Sequence, residues 1–184
     1  MSSKTLQLTA GVQYPVINLR LISMKYIQLA LSILLLSSSV HARADNFKAF
    51  TANSFEEIKA LHKGQEFLIG LWSVDCPPCM VELQYMAKLL ELNPEIPYVL
   101  ISTDAIEQRQ YAAEFLEDVG LSDRESWMFA GNFVEQLRFS IDPNWYGELP
   151  RSYFFDSNHT MKSHSGIVNE KLLREWFSTS LKFK

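Results

Sequence analysis

The sequence predicts an α/β fold in which a central mixed sheet is flanked by helices. The prediction rests on three observations. A short apolar run that begins at Phe67 and ends at Ser73 suits a buried strand, and a helical pattern starts just after Cys76. Strand-like and helix-like segments then continue along the chain in the order βαβαβαβαββα. The length of 184 residues and the hydrophobic fraction of 47% suit one domain with a substantial core.

The first 44 residues are expected to precede the folded domain. Met24-Lys25 is followed by an apolar run over residues 26–36 and then by Ala42-Arg43-Ala44, the pattern of a cleavable secretory signal peptide. The run is shorter than the ~20 apolar residues of a spanning helix, and an uncleaved anchor facing the periplasm is the alternative. The chain therefore divides into an over-long start or leader (1–23), a signal peptide (24–44) and a folded domain (45–184).

Export would place this domain in the periplasm, an oxidising compartment. The whole chain has a formal net charge of −4, and removal of residues 1–44 would take away four basic residues and no acidic one, leaving −8. This balance argues against nucleic acid as a partner and against adhesion to an anionic membrane surface. Contact with the membrane is expected only transiently, through the signal peptide.

The first half of the domain contains two further strands and two further helices besides the segment around the cysteines. Residues 46–52 suit a short strand, and Ser54-Phe55-Glu56-Glu57 predicts a capping box that opens a helix ending at Lys63, with Gly64 as its left-handed cap. Residues 98–103 suit a buried strand. Asp104 is then expected to cap a helix that runs to about Val119 and stops at Gly120.

In the second half, residues 127–129 suit a short strand and residues 133–141 a short helix. Residues 152–156 and 161–165 predict two strands of a hairpin joined by a polar turn. Asn169 begins a last helix with one apolar face.

The two cysteines of the chain lie in the motif Cys76-Pro77-Pro78-Cys79, at the start of the helix expected to run to about Leu92. Pro77 suits the first helical turn, where a missing N–H has no cost. Cys76 then lies at the helix N-terminus, where the dipole favours a thiolate, and Cys79 follows one turn later. This arrangement predicts dithiol–disulfide exchange, with Cys76 as nucleophile and Cys79 as resolving thiol. A structural disulfide is the alternative, and a zinc site would need further ligands.

The chain resembles the thioredoxin superfamily over roughly its last three-quarters, and within it the exported TlpA-like and ResA-like thiol–disulfide oxidoreductases. The residues of the resemblance are Trp72, the Cys76–Cys79 motif, Glu82, and Leu149-Pro150 followed by the strand at 151–156. Residues 127–141 resemble the helix-and-strand insertion in the middle of TlpA-like folds. The implied fold is therefore thioredoxin-like with a TlpA-type central insertion.

The resemblance also implies roles for single residues. Pro150 matches the cis-proline beside the active disulfide, with an ordinary trans turn as the alternative, and the Leu149 backbone would pair with a substrate strand. Trp72 matches a tryptophan packed beneath the active site, a role compatible with plain core packing. Glu82 matches a glutamate that can relay a proton to Cys79, although a solvated helix-face carboxylate is an equal alternative.

Two positions depart from the family pattern. Thioredoxins place a buried aspartate six residues before the first cysteine, where this chain has Gly70. In thioredoxins this aspartate helps to deprotonate the resolving thiol. In this chain such a proton relay is absent, or water or Glu82 supplies it. Asp75 stands where a tryptophan is usual, and its charge is expected to raise the pKa of Cys76 and make the couple more reducing.

The loop of residues 142–148 runs directly into Leu149-Pro150 and contains Trp145 and Tyr146. Two aromatic residues beside a docking edge predict a lip that recognises the partner protein. Core packing is an equally good interpretation.

The sequence therefore predicts an exported thiol–disulfide oxidoreductase that reduces protein disulfides, and the resemblance implies cytochrome c maturation as its setting. The expected partners are a protein thiol or disulfide and a membrane or periplasmic electron donor. No cofactor beyond the redox-active disulfide and no metal is expected. The alternatives are an oxidant or isomerase using the same cysteines, a copper-handling module using Cys76, Cys79 and a histidine, and a thiol peroxidase.

Overall fold

The structure is a computed structural model that describes residues 47–131, 133–177 and 181–183. The leader and signal peptide expected at residues 1–44 lie outside these ranges. The described residues belong to one compact unit. Its elements, in chain order, are β1 (Phe47–Phe50), α1 (Ser54–Leu61), β2 (Phe67–Trp72), α2 (Pro77–Leu92), β3 (Tyr98–Ser102), a 3-10 turn (Ile106–Gln108), α3 (Arg109–Asp118), β4 (Ser126–Phe129), α4 (Val134–Ile141), β5 (Arg151–Phe155), β6 (Met161–Ser165) and α5 (Glu170–Trp176).

The six described strands form one mixed sheet in the order β1-β4-β3-β2-β5-β6. The first four strands in this order are mutually parallel, whereas β5 runs antiparallel to β2, and β6 antiparallel to β5. The predicted order of elements and the mixed sheet are confirmed. β4, which lies in the segment expected to be a central insertion, is an internal strand of the sheet between β1 and β3.

Strand β2 lies at the centre of the sheet because nearly all of its side chains are apolar and both of its faces are covered. Phe67, Ile69 and Leu71 pack on one side, with residues of α1 and α4. Leu68 and Trp72 pack on the other side, with residues of α2 and both cysteines. All six residues of the strand are buried. The active-site helix therefore lies on the second face of a fully buried strand.

Two predicted helix starts are wrong. Ser54 lies inside α1 and its hydroxyl accepts a hydrogen bond from the Thr51 N–H (2.9 Å) instead of capping the helix, and α1 ends at Leu61, earlier than expected. Asp104 caps no helix, because a 3-10 turn separates it from α3. Its carboxylate has other partners, described below.

The end of α3 is as predicted. Gly120 adopts a left-handed conformation (φ 79°) just after the helix. The Leu121 N–H then donates to the Leu116 carbonyl (2.7 Å) and the Gly120 N–H to that of Glu117 (3.0 Å), which satisfies the last carbonyls. The predicted start of the last helix at Asn169 is also confirmed: this residue is the N-cap of α5, and its side chain accepts a hydrogen bond from the Leu172 N–H (3.1 Å).

Candidate active site

The two cysteines form a disulfide, with their Cα atoms 5.2 Å apart. Cys76 is the N-cap of α2, and its sulfur accepts a hydrogen bond from the Cys79 N–H (3.2 Å). Pro77 and Pro78 occupy the first helical positions and are exposed. The exposed fraction is 9% for Cys76 and 0% for Cys79. Cys76 is therefore the sulfur that a partner can reach, and Cys79 lies behind it in the core.

Asp104 holds the turn that leads to Cys76. Its buried carboxylate accepts hydrogen bonds from the Ser73 hydroxyl (2.6 Å) and from the Val74 N–H (3.0 and 3.2 Å). A third donor is the Ser102 hydroxyl at the end of β3 (2.6 Å). The sequence interpretation missed this role. The available signal was an aspartate just beyond a buried strand, at the sheet edge where the CxxC turn also begins.

The side chains flanking the motif are placed as follows. Trp72 is buried against the cluster that contains both cysteines, and its ring lies 5.9 Å from that of Phe115. This packing is consistent with the predicted position beneath the active site.

Asp75 is exposed, and its carboxylate accepts a hydrogen bond from the Gln108 side-chain amide (3.2 Å). The Gln108 amide is neutral, so this hydrogen bond does not neutralise the negative charge of Asp75 beside Cys76.

Glu82 is not a solvated helix-face carboxylate, which corrects one of the two interpretations of this residue. Only 2% of it is exposed. Burial raises its pKa from the ordinary value of 4.5 to about 7, against the lowering effect of hydrogen bonds from the Val168 N–H and the Ser152 hydroxyl. These bonds measure 2.7 and 3.4 Å. A carboxyl group that titrates near neutral pH thus lies one turn beyond Cys79.

The Leu149–Pro150 peptide bond is cis, as predicted. In the sheet, Arg151 pairs with Leu71 at the end of β2, which places Pro150 beside the turn that leads to the cysteines. The Pro150 carbonyl accepts a hydrogen bond from the Gly166 N–H (2.8 Å). Leu149 is half-buried and packs against both cores. The predicted docking edge and the disulfide therefore belong to one end of the sheet.

The two aromatic residues before Leu149 differ in exposure. Trp145 is 4% exposed and packs in the core, and its indole N–H donates to the Glu148 carbonyl (2.9 Å). Tyr146 is 88% exposed. The prediction that Trp145 forms part of a partner-recognition lip is therefore wrong, because the rigid indole fills the space under the loop. Tyr146 alone of the pair faces solvent.

Arg151 fastens the ends of this loop. Its guanidinium forms an ion pair with the buried Asp142 carboxylate (3.0 Å), and it also contacts Glu148 (3.4 Å) and the Ser165 hydroxyl (2.6 Å). The Tyr153 hydroxyl donates to the same Asp142 oxygen (3.2 Å). The loop is thus held at both ends by charged hydrogen bonds, and the buried pair with Asp142 is screened less than the exposed pair with Glu148.

The three described histidines lie outside the helix that carries the disulfide. His62 stacks on Phe67 (4.8 Å between ring centroids) and His159 meets the same ring edge-on (5.6 Å), on the sheet face opposite the cysteines. His164 lies on β6 against Trp176. Across residues 47–131, 133–177 and 181–183, no group of three His, Cys, Asp or Glu side chains could hold a metal ion. Within those residues no helix combines the length and apolar character needed to cross a membrane.

The mixed sheet with this strand order, the CxxC disulfide at a helix N-terminus and the cis-proline at the same end of the sheet define a thioredoxin-like fold. Among solved structures, the chain is similar to a thiol:disulfide interchange protein of the thioredoxin family from Chlorobium tepidum TLS. The TM-score is 0.52 at 17% sequence identity, and the match covers 64% of this chain and 83% of that one. A putative thiol:disulfide interchange protein DsbE from Chlorobium tepidum matches with a TM-score of 0.50 at 18% identity, over 63% and 80% of the two chains.

The sequence itself is similar to thiol:disulfide interchange proteins named DsbE. The protein of Vibrio cholerae serotype O1 is 30% identical over 122 residues, which are 66% of this chain and 59% of the relative. The protein of Haemophilus influenzae is 26% identical over 136 residues, 70% and 66% of the two lengths. The chain thus spans about three-fifths to two-thirds of the curated relatives it matches. No family model matches it.

Proposed function

We propose that the chain is an exported thiol–disulfide oxidoreductase that reduces protein disulfides through Cys76 and Cys79. The main support is the arrangement of the two sulfurs, one at the surface end of a helix and the other buried one turn later. The DsbE relatives, named as thiol:disulfide interchange proteins, support the same chemistry.

The first step uses the position of Cys76. In the dithiol form, the N-terminus of α2 stabilises its thiolate, since unpaired N–H groups and the helix dipole favour negative charge there. The Cys79 N–H contacts this sulfur in the disulfide (3.2 Å) and also donates to the Cys76 carbonyl (2.9 Å). The thiolate attacks a sulfur of the partner's disulfide, forms a mixed disulfide, and releases the partner's other sulfur as a thiolate.

The second step needs a base for Cys79. The Glu82 carboxylate lies one turn beyond this cysteine, and its pKa of about 7 lets it both take and return a proton at neutral pH. Cys79 then attacks the Cys76 sulfur, and the bond to the partner breaks. The partner leaves as a dithiol and the chain keeps the disulfide, so two electrons have moved from the chain to the partner.

The docking edge in this proposal is the backbone of Leu149, with which an extended partner segment would pair by strand addition. The anchored loop before it presents the exposed ring of Tyr146. An aromatic side chain on a loop with fixed ends loses little conformational entropy on binding, which suits it to partner recognition.

Export by the signal peptide at residues 24–44, a periplasmic location, an electron donor in the membrane or periplasm, and a role in cytochrome c maturation complete the proposal. In an oxidising compartment the dithiol needs such a donor after each turnover. The reverse direction, as an oxidant or isomerase, would use the same residues and a higher reduction potential.

The test is to capture the partner. A Cys79→Ala variant cannot resolve the mixed disulfide, so Cys76 should retain a disulfide-linked protein that releases on reduction. A Cys76→Ala variant is the matched control and should retain none. Identification of a periplasmic protein with a reducible cysteine pair would support the proposal. Equal capture by both variants, or none by Cys79→Ala, would refute it.

A further inference from the structure

Gly70 lies at the centre of β2, on the sheet face that packs against α2, between Leu68 and Trp72. A Cβ atom built on Gly70 would overlap the hydroxyl of Tyr98 and lie 3.0 Å from the ring carbon Cζ. The space of a side chain at position 70 is therefore filled by Tyr98, which reaches across from the neighbouring strand β3. Glycine at this position is what admits the tyrosine.

The Tyr98 hydroxyl is a polar group in an apolar core. The residue is 2% exposed, and its hydroxyl has no hydrogen-bond partner among the described residues. A phenylalanine would fill the same space without leaving a donor unpaired, and a buried unpaired donor disfavours folding. A polar group of this kind calls for an explanation beyond packing.

Glu82 is the ionisable group whose charge acts on this hydroxyl. Gly70 pairs in the sheet with Ser152, and the Ser152 hydroxyl is a partner of the Glu82 carboxylate (3.4 Å). The Tyr98 hydroxyl packs on Gly70 and therefore lies beside the paired residues Gly70 and Ser152. Of these two, Ser152 forms the hydrogen bond to Glu82. Burial raises the pKa of Tyr98 well above its usual value, and the negative charge of Glu82 raises it further. Tyr98 thus keeps its proton and can act only as a neutral phenol.

We propose that Tyr98 is a positioning residue for thiol exchange. Its hydroxyl fills the space beside Gly70 and stabilises the ionised carboxylate of Glu82, the base for Cys79. This inference rests on the proposed function.

In the resolving step, the Cys79 thiol gives its proton to Glu82 and its sulfur bonds to that of Cys76. The bond between Cys76 and the partner's sulfur breaks, and its electron pair leaves with the partner as a thiolate. Tyr98 transfers no proton: its hydroxyl makes no hydrogen bond to the described residues in the disulfide form, and it acts on the carboxylate through its O–H dipole alone.

Other ionisable groups lie on the elements that pack around this site, and a pH profile includes their effects: the two cysteines and Tyr85 on α2, His164 on β6 opposite Ser152, and Glu170 and Arg174 on α5. Tyr85 provides a matched control. Its hydroxyl is also buried and without a hydrogen-bond partner in the described part of the chain, but it lies within the field of Glu170 and Arg174. Tyr85→Phe and Tyr98→Phe each remove a single oxygen atom, the first from α2 and the second from β3.

The first measurement follows the Glu82 carboxyl carbon by NMR as a function of pH in the oxidised chain. Tyr98→Phe should move the Glu82 midpoint upwards by about half a unit or more, whereas Tyr85→Phe should leave it in place. Gly70→Ala, whose Cβ displaces the hydroxyl, is a second variant with the same expected direction. An unmoved midpoint in Tyr98→Phe, or equal shifts in both tyrosine variants, would overturn the inference.

The second measurement is the pH profile of single-turnover reduction of a peptide disulfide. Tyr98→Phe should shift the profile upwards with the Glu82 midpoint, leave the alkylation pKa of Cys76 unchanged, and add no shift in a Glu82→Gln background. An active wild type with a superimposable Tyr98→Phe profile overturns this inference alone. A wild type that reduces no disulfide overturns the proposed function and this inference with it.

Discussion

The carboxylate of Asp104 accepts a 2.6 Å hydrogen bond from the hydroxyl of Ser73, and the two residues are 31 positions apart in the chain. This contact joins the end of β3 to the turn before the reactive cysteine. The same carboxylate also accepts hydrogen bonds from the Val74 N–H and the Ser102 hydroxyl. It therefore satisfies donors in the turn and at the end of β3. The position of Cys76 at its helix end therefore depends on a residue outside the CxxC motif.

Asp104→Ala should lower the free energy of unfolding by about 2–4 kcal/mol, since it leaves the buried donors of Ser73, Val74 and Ser102 without an acceptor. Asp104→Asn keeps the shape and one acceptor oxygen and should cost less. Urea denaturation gives both values, with Asp123→Ala as an exposed control. A loss below about 0.5 kcal/mol for Asp104→Ala would show that the carboxylate does not hold the turn.

Glu82 makes stability depend on pH in a direction opposite to that of most carboxylates. Because its pKa is raised from 4.5 to about 7 in the folded state, the folded chain binds more protons than the unfolded chain between these values. The contribution of Glu82 to stability is present below pH 4.5 and is lost as the pH rises to about 7, a change of about 3 kcal/mol.

Glu82→Gln should therefore flatten the decline in unfolding free energy across this window, measured by urea denaturation at a series of pH values. Glu125→Gln is a control of opposite sign, because hydrogen bonding to His62 lowers the pKa of Glu125 to about 2 despite partial burial. A decline that persists in Glu82→Gln would mean that another group causes it.

Asp75→Asn should lower the alkylation pKa of Cys76, because it removes a negative charge beside the thiolate. Asp75 is exposed, so solvent screens the effect and we expect a change of about 0.3–0.5 unit. The more stable thiolate should raise the reduction potential by about 10–15 mV. The wild-type potential should lie nearer the value of about −270 mV for thioredoxin than that of about −120 mV for DsbA. An unmoved Cys76 pKa would remove the electrostatic role of Asp75.

Trp145 and Tyr146 are adjacent in the chain and should respond differently to truncation. Trp145→Ala empties a core position and should lower the unfolding free energy by about 3–5 kcal/mol. Tyr146→Ala should change it by less than about 0.5 kcal/mol but weaken reduction of a protein disulfide, with little effect on a small-molecule disulfide. Identical kinetics of Tyr146→Ala and wild type on the protein substrate would exclude Tyr146 from recognition.

The sequence predicted those parts of the fold that depend on near neighbours in the chain. Gly120 ends α3 and Asn169 begins α5 because each cap is made within a few residues, and Cys76–Cys79 is a motif of four consecutive residues. The same local reasoning failed for Ser54 and Asp104. Their side chains had alternative partners, and nothing in the surrounding pattern distinguished these partners from a helix cap.

The interior of the site could not be predicted because its contacts join distant segments. The hydrogen bond from the Val168 N–H to Glu82 spans 86 positions, and it is this enclosure that makes a helix-face carboxylate buried. Gly70 was visible in the sequence as a departure from the family pattern. That Tyr98 fills its place became apparent only once β2 and β3 were set in register.

The most direct measurement is reduction of insulin by the chain with dithiothreitol as the electron source, comparing wild type with a variant in which Cys76 and Cys79 are both replaced by serine. We expect wild type to accelerate insulin precipitation well above the dithiothreitol background and the double variant to match that background. Acceleration that survives the loss of both sulfurs would contradict the assignment of disulfide exchange to Cys76 and Cys79.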